Sequence, residues 1–332
     1  MTLRFGILGT GKIATLFAAA LRDSTVVSVA AVASRDAGRA AAFAREHAVP
    51  GAYGDYAELV GAPEVDAVYV ALPHPLHAAW SIAAAEAGKH VLCEKPLAMS
   101  AGEAGDVVAA VRRAGVAMME AFAYRFHPVT ARAVELIGSA TIGTPRMIDA
   151  TFGYNAGQAD NYLFRADLGG GSILDVGCYT MSLARRLAGA AGGRPFADPD
   201  RVEGVAHVGK DGVDHAASAS LLFADGLVAR LGCAVTADLP DAAVVHGDSG
   251  SLRINSPWLP GRLGTVSIDL TIGGTRTTET IASPRPLYAL EAEAFATVLE
   301  HGEHPAMTWA DSVGNAAALD AWRSTVTTPG SR

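Results

Sequence analysis

Over the first third of the chain, apolar residues fall into short β-branched runs separated by longer alanine-rich stretches. Runs of that length read as buried strands and the stretches between them as helices, an alternation that predicts βαβ units around a parallel sheet. The predicted strands are Arg4–Leu8, Val26–Ala33, Ala67–Ala71, His90–Cys93 and Ala117–Glu120. Between them, Ile13–Arg22, Ala37–His47, Leu76–Ala87 and Ala101–Ala114 carry helical spacing.

Beyond Tyr124 the rhythm changes. Val129–Ile137 reads as a helix and Pro145–Tyr154 as a strand with mixed polar and apolar positions. Val202–Val208, Ala216–Phe223, Gly226–Cys233, Ala242–His246 and Val266–Ile272 are strand-like and bounded by Asp-Gly, Gly-Asp or Pro signals, which predicts an open, mainly antiparallel sheet. Tyr288–His301 and Trp309–Thr325 return to helical spacing. The whole reads as an α/β protein of two domains, 1–123 and 124–332, a division that suits a chain of 332 residues.

Composition narrows the partners. Half of the residues are hydrophobic and 18% are charged, the balance of a packed globular protein. A formal net charge of −8, with no dense run of Lys or Arg, argues against nucleic acid. Met1–Arg4 pass directly into the first apolar run, and no apolar stretch reaches membrane-spanning length, so neither a signal peptide nor a membrane span is expected. Cys93, Cys178 and Cys233 are an odd, scattered set, which points to a reducing, cytoplasmic setting without disulfides.

Two pairs of segments carry chemistry. Gly9-Thr10-Gly11-Lys12-Ile13-Ala14 follows the first strand and opens the first helix, the context in which a G-x-G-x-x-G/A pattern binds a dinucleotide. Gly9 permits the tight turn, Gly11 lets backbone amides reach a pyrophosphate, and Ala14 allows close packing, with the helix amino terminus attracting the negative charge. Ser34-Arg35-Asp36 ends the second strand, where an NAD enzyme usually places an acid for the ribose 2′-hydroxyl. A hydroxyl and a guanidinium suit a 2′-phosphate, so NADP is expected over NAD, although Asp36 could turn inward and take the acidic role.

The second segment pair is Cys93-Glu94-Lys95-Pro96, at a predicted strand's carboxyl end, and Gly169–Tyr179, which leads into a helix. Asp175 and Tyr179, four residues apart, are expected on one helical face. With Gly9-Thr10-Gly11 and Glu120–Pro128, these segments resemble the glucose-fructose oxidoreductase / inositol dehydrogenase family, written Gfo/Idh/MocA, over nearly the whole chain. Tyr179, where inositol dehydrogenases carry His, is similar to the branch with dihydrodiol and xylose dehydrogenases and sugar 3-ketoreductases.

The resemblance implies a Rossmann domain, a second α/β domain whose open sheet often makes homodimers or homotetramers, and an active site between them. It implies hydride transfer between nicotinamide and a sugar, keto-sugar or related cyclic alcohol. Lys95 and Tyr179 would act at the reacting oxygen, with Asp175 orienting the substrate or Lys95. Expected cofactor contacts are Gly9, Thr10, Gly11, Lys12, Ile13, Ser34, Arg35, Leu72, His74, His77, Glu94 and Lys95; related sequences commonly carry Asn in place of His74. Expected substrate contacts are Lys95, Tyr124, Arg125, Asn161, Arg165, Asp175 and Tyr179, while Asn155, Gln158, Tyr162 and Phe164 stand in the loop that shapes the pocket. Zinc at His74, His77 and Cys93 is not expected, since one H-x-x-H with a distant thiol is weak and hydride transfer needs no metal. Two alternatives use the same fold: a nicotinamide-dependent glycoside hydrolase and a regulator that binds dinucleotide without turnover.

Overall fold

The computed structural model describes residues 2–157, 161–261 and 265–326. The chain forms two compact units, one of Met1–Phe126 with Arg285–Val313 and the other of His127–Pro284 with the residues from Gly314 onward.

The first unit opens with β1 (Leu3–Leu8), α1 (Lys12–Leu21), β2 (Val27–Ala33), α2 (Ala37–His47), β3 (Gly51–Tyr53), α3 (Tyr56–Val60), β4 (Ala67–Val70), α4 (His77–Glu86), β5 (His90–Glu94), α5 (Ala101–Ala114) and β6 (Met118–Ala121). Its strands make a six-stranded sheet in the order β3-β2-β1-β4-β5-β6, and every pairing is parallel. Every residue of β4 is buried, as expected of a strand covered on both faces. The helices start and stop where their caps dictate. Asp36 accepts from the Arg39 amide at the head of α2, Ser100 from the Glu103 amide at the head of α5, and Gly115 ends α5 in the left-handed region.

The second unit begins with α6 (Pro128–Gly138) and β7 (Pro145–Gly153). A π turn (Ile173–Gly177) then runs into α7 (Cys178–Ala191). Seven strands follow: β8 (Arg201–Val208), β9 (Asp214–Leu222), β10 (Val228–Ala234), β11 (Ala242–Gly247), β12 (Gly250–Asn255), β13 (Val266–Ile272) and β14 (Thr275–Ile281). With β7 they form an eight-stranded sheet ordered β14-β13-β12-β11-β7-β10-β9-β8, antiparallel except for the β7–β10 pair. Helix α7 packs on β7 and β10, and α6 on β12 and β13.

The chain then rejoins the first unit. Helix α8 (Leu287–Ala296) packs on α1, with the Phe295 ring 6.1 Å from that of Phe5. The division between units falls inside the last helix, α9 (Trp309–Thr325). Trp309 donates from its indole to the Met118 carbonyl at 2.9 Å. A linear cut near residue 123 therefore omits Arg285–Val313, an interior piece of the first unit supplied from late in the chain.

Candidate active site

At the end of β1 the backbone turns at Gly9, whose φ of +104° lies in the region that glycine favours. A Cβ there would stand 2.4 Å from the Ala71 carbonyl oxygen, so no other residue fits. Gly11 heads α1 with neither a side-chain cap nor an acid in the first turn, and a Cβ on it would meet no atom within 4 Å. The glycine turn at the head of α1 thus borders open space, and the amides of a helix's first turn, which lack intrahelical partners, suit a phosphate there. Ala14 is fully buried, while Thr10, Lys12 and Ile13 remain partly or fully exposed beside the turn.

That space is a cleft of about 460 Å³ lined by the glycine turn, Ser34, Arg35, Asp36, Arg39, Leu72 and neighbouring residues. Ser34 is buried, and its hydroxyl accepts from the Asp36 amide at 3.3 Å. The Asp36 carboxylate accepts from the Arg39 amide at 3.1 Å as the cap of α2. It is thereby committed to the helix, and the Arg35 and Arg39 guanidiniums remain exposed along the cleft. Arg39 escaped the sequence reading, although its place one turn into α2 was a usable signal.

The next two strands bring a tightly held turn to the same sheet edge. Glu94, at the end of β5, accepts from the buried Tyr69 hydroxyl at 2.5 Å and from the Lys95 amide at 3.3 Å. The Lys95–Pro96 peptide is cis. His77 is fully buried, one ring nitrogen 2.7 Å from the Pro96 carbonyl and the other 2.7 Å from that of Leu72. Burial holds its imidazole below the usual histidine range, against the opposing pull of the two carbonyls. His74 is also buried, its ring edge-on to His77 at 5.6 Å. Leu97 donates to Glu120 at 2.9 Å. Lys95 itself is half-buried.

Tyr124 and Arg125 lie in the wall of the first unit, 0% and 4% exposed. Arg125 donates to the Tyr124 hydroxyl at 2.9 Å and pairs with the buried Asp311 at 3.0 Å, so its charge is already balanced within that wall.

In the second unit, a Cβ on Gly170 would strike the Leu163 carbonyl at 2.4 Å, and one on Gly171 would strike the Asp214 carboxylate at 2.3 Å. Asp214, on β9, accepts from the Ser172 hydroxyl and the Ile173 amide, each at 2.7 Å, and so caps the π turn from outside the helix. Asp175 sits in that π turn and Tyr179 in the first turn of α7, so the regular i, i+4 face expected from their spacing does not run through. Asp175 is buried and accepts from the Tyr154 hydroxyl at 2.6 Å. The half-buried Tyr179 lies edge-on to Phe152 at 5.4 Å and to Trp258 at 6.4 Å. Asn161 caps the short helical turn that follows it, accepting from the Leu163 amide at 3.2 Å. Arg165 is exposed and paired with Asp167 at 2.6 Å. Asn155 accepts from the Gly157 amide, Tyr162 is exposed, and Phe164 stacks edge-on with His215; Gln158 lies outside the described residues.

Both halves of the chain match one family. Residues 3–122 match its oxidoreductase domain with an NAD-binding Rossmann fold, and residues 130–253 its carboxy-terminal domain. The chain is 38% identical over 323 residues to the D-xylose 1-dehydrogenase (NADP(+)) 2 of Haloferax volcanii, covering 96% of each. The chain belongs to the GFO/IDH/MocA oxidoreductases. The oxidoreductase is also 35% identical to the mouse trans-1,2-dihydrobenzene-1,2-diol dehydrogenase over 265 residues, 79% of this chain and 78% of that protein. Among solved structures it is similar to the 3-ketoreductase KijD10 of Actinomadura kijaniata in complex with NADP and TDP-benzene, with a TM-score of 0.87, 30% identity and 98% coverage of both chains.

In the oxidoreductase, no group of three His, Cys, Asp or Glu suited to a metal occurs among the described residues. Cys93, Cys178 and Cys233 are buried and form no disulfide. No helix among the described residues is long and apolar enough to cross a membrane.

Proposed function

We propose that the oxidoreductase is an NADP-dependent dehydrogenase or reductase acting on a sugar, keto-sugar or related cyclic alcohol. The observation that carries this reading is a shared edge: the glycine turn, the arginine-lined cleft and Lys95 all follow carboxyl ends of one parallel sheet. Strand order reverses between β1 and β4 there, the position where open α/β sheets bind ligands. The substrates in the names of the xylose and dihydrodiol dehydrogenases and the 3-ketoreductase support the substrate class.

When bound, the nicotinamide supplies or accepts the hydride. The chain does the rest. Gly9, Thr10, Gly11, Lys12 and Ile13 present the head of α1 to the pyrophosphate, and Ser34 and Arg35 take the 2′-phosphate. Leu72, His74, His77 and Glu94 shape the wall next to Lys95. The Lys95 ammonium stabilises negative charge on the substrate oxygen, and the Tyr179 phenol gives or takes its proton. Asp175, steadied by Tyr154, orients the substrate, with Asn161 and Arg165 on the substrate side. Tyr124 and Arg125, the other two expected substrate contacts, stand in the first unit with Lys95. A cytoplasmic homodimer or homotetramer completes the proposal, with light scattering as the check on assembly.

The test is turnover of purified protein with NADPH and a keto-sugar panel, or with NADP and aldoses and dihydrodiols, followed by nicotinamide absorbance. Lys95→Ala and Tyr179→Phe should each lose on the order of 10²-fold or more in kcat. Full turnover in both variants overturns the assignment. Release of free sugar from an aryl glycoside with no accumulation of reduced cofactor would instead make the protein a glycoside hydrolase.

A further inference from the structure

Glu120 is a buried acid to which the reading above gives no task. It stands beside Cys93 in the β5–β6 register and is 2% exposed. One carboxyl oxygen accepts from the Leu97 amide at 2.9 Å, two residues beyond Lys95, and the other has no hydrogen-bond partner. We propose that Glu120 is a positioning residue: its carboxylate, through the Leu97 amide, fixes the turn that presents Lys95. The proposal rests on the assignment of Lys95 to the chemistry.

The turn is short and is held at three successive backbone groups. Glu94 accepts from the Lys95 amide, His77 meets the Pro96 carbonyl, and Glu120 accepts from the Leu97 amide. Only the last of these holds comes from outside β5 and the His77 region. An ionised carboxylate makes that bond charge-assisted, roughly twice as strong as its neutral form. Protonation leaves a weaker acceptor for the Leu97 amide.

The groups around Glu120 decide when this happens. Burial pushes its carboxyl up to about 7, the Leu97 amide and the Ser312 side chain pull it down, Asp311 adds to the rise, and Arg125 opposes it. Asp311 and Ser312 come from α9, Arg125 from the turn after β6, and Cys93 from β5; the thiol is itself pushed up by burial and stays neutral. Glu120 thus changes charge within the working range of an enzyme. The holding bond gains strength as pH rises through about 7 and loses it as pH falls through the same value.

The experiment compares kcat across pH 6–8 in the parent, Glu120→Gln, Ser312→Ala and Lys95→Ala. The parent should show kcat rising through a midpoint near 7. Glu120→Gln, isosteric and always neutral, should be roughly fivefold slower at pH 8 and converge with the parent at pH 6, with KM for NADP unchanged. A merely structural role would slow the variant equally at every pH. Ser312→Ala removes a group that lowers the Glu120 value and should move the parent's midpoint upward, which keeps the test open should the Gln variant fail to fold. Parallel profiles for parent and Glu120→Gln, or an unmoved midpoint in Ser312→Ala, overturn the proposal. Lys95→Ala separates the two ideas: if it retains full turnover, the reading of Lys95 fails; if it is inactive while the pH profiles stay parallel, only the role of Glu120 fails.

Discussion

The buried imidazole of His77 lies 2.7 Å from the Pro96 carbonyl, tying the start of α4 to the turn that carries Lys95. Its other nitrogen faces the Leu72 carbonyl, and Leu72 lines the cleft at the glycine turn. A single ring thus links that cleft to the lysine turn. A neutral imidazole donates through one nitrogen only, so two carbonyl partners leave one contact short of a proton.

Replacing His77 by Gln should therefore disturb both turns. We expect kcat to fall roughly tenfold and stability to drop by about 1–3 kcal/mol at pH 7 from the unmade bonds. The folded value lies below the unfolded one, near 6.5, so the contribution is present above that pH and is lost as pH falls. The stability gap between parent and variant should narrow from pH 7 to pH 5 in urea titrations, and a gap that widens would contradict the buried neutral ring.

Arg35 and Asp36 have separable duties. Arg35→Ala should raise KM for NADP by roughly 10–100-fold and leave KM for NAD within about threefold, because only the phosphate contact is lost. Asp36→Ala should cost about 1 kcal/mol through the lost cap of α2. Its NADP preference should stay intact; a switch to NAD would show that the carboxylate had been serving the ribose.

Asp214 caps the π turn that carries Asp175. Asp214→Ala leaves a buried hydroxyl and a backbone amide without their acceptor, a loss of about 2–4 kcal/mol. Because the cleft proposed for the dinucleotide belongs to the first unit, KM for NADP should hold while kcat falls. Steady-state kinetics on the two substrates separate these effects, and equal losses in both would argue for general unfolding.

Glu291 is fully buried in α8, neither of its carboxyl oxygens has a partner, and it faces Glu94. Burial first, and then the nearby Glu94 charge, raise its carboxyl well above the usual range. A raised folded value means stability present below the unfolded value of about 4.3 and lost as pH rises. Glu291→Gln carries no such dependence. Its stability relative to the parent should improve as pH rises from 5, measured by denaturant unfolding.

The parallel sheet was legible because β1, β4 and β5 are apolar runs of strand length with glycine or proline beyond them. The antiparallel sheet was legible in outline. Strand β14, Thr-Arg-Thr-Thr-Glu-Thr-Ile, has almost no apolar alternation, and is fixed instead by the Gly273-Gly274 turn, where both residues have positive φ. The short β3 and α3 fall below the length at which periodicity speaks. Lys95, Asp175 and Tyr179 stand in motifs and could be named from them. Asp214 and Tyr154 could not, because the hydrogen bonds that give them meaning join residues 21 to 42 positions apart. Nor could the π turn, since i, i+4 spacing presumes a regular helix.

The late return of Arg285–Val313 sets a limit on dissecting this protein. A gene fragment stopped at Phe126 would encode a nucleotide-binding half with a hole in it: Phe5 would lose the ring of Phe295, the Met118 carbonyl its indole donor, and Arg125 its counter-ion Asp311. Such a fragment carries every glycine and lysine of the cofactor motif and still lacks the interior that keeps them in place.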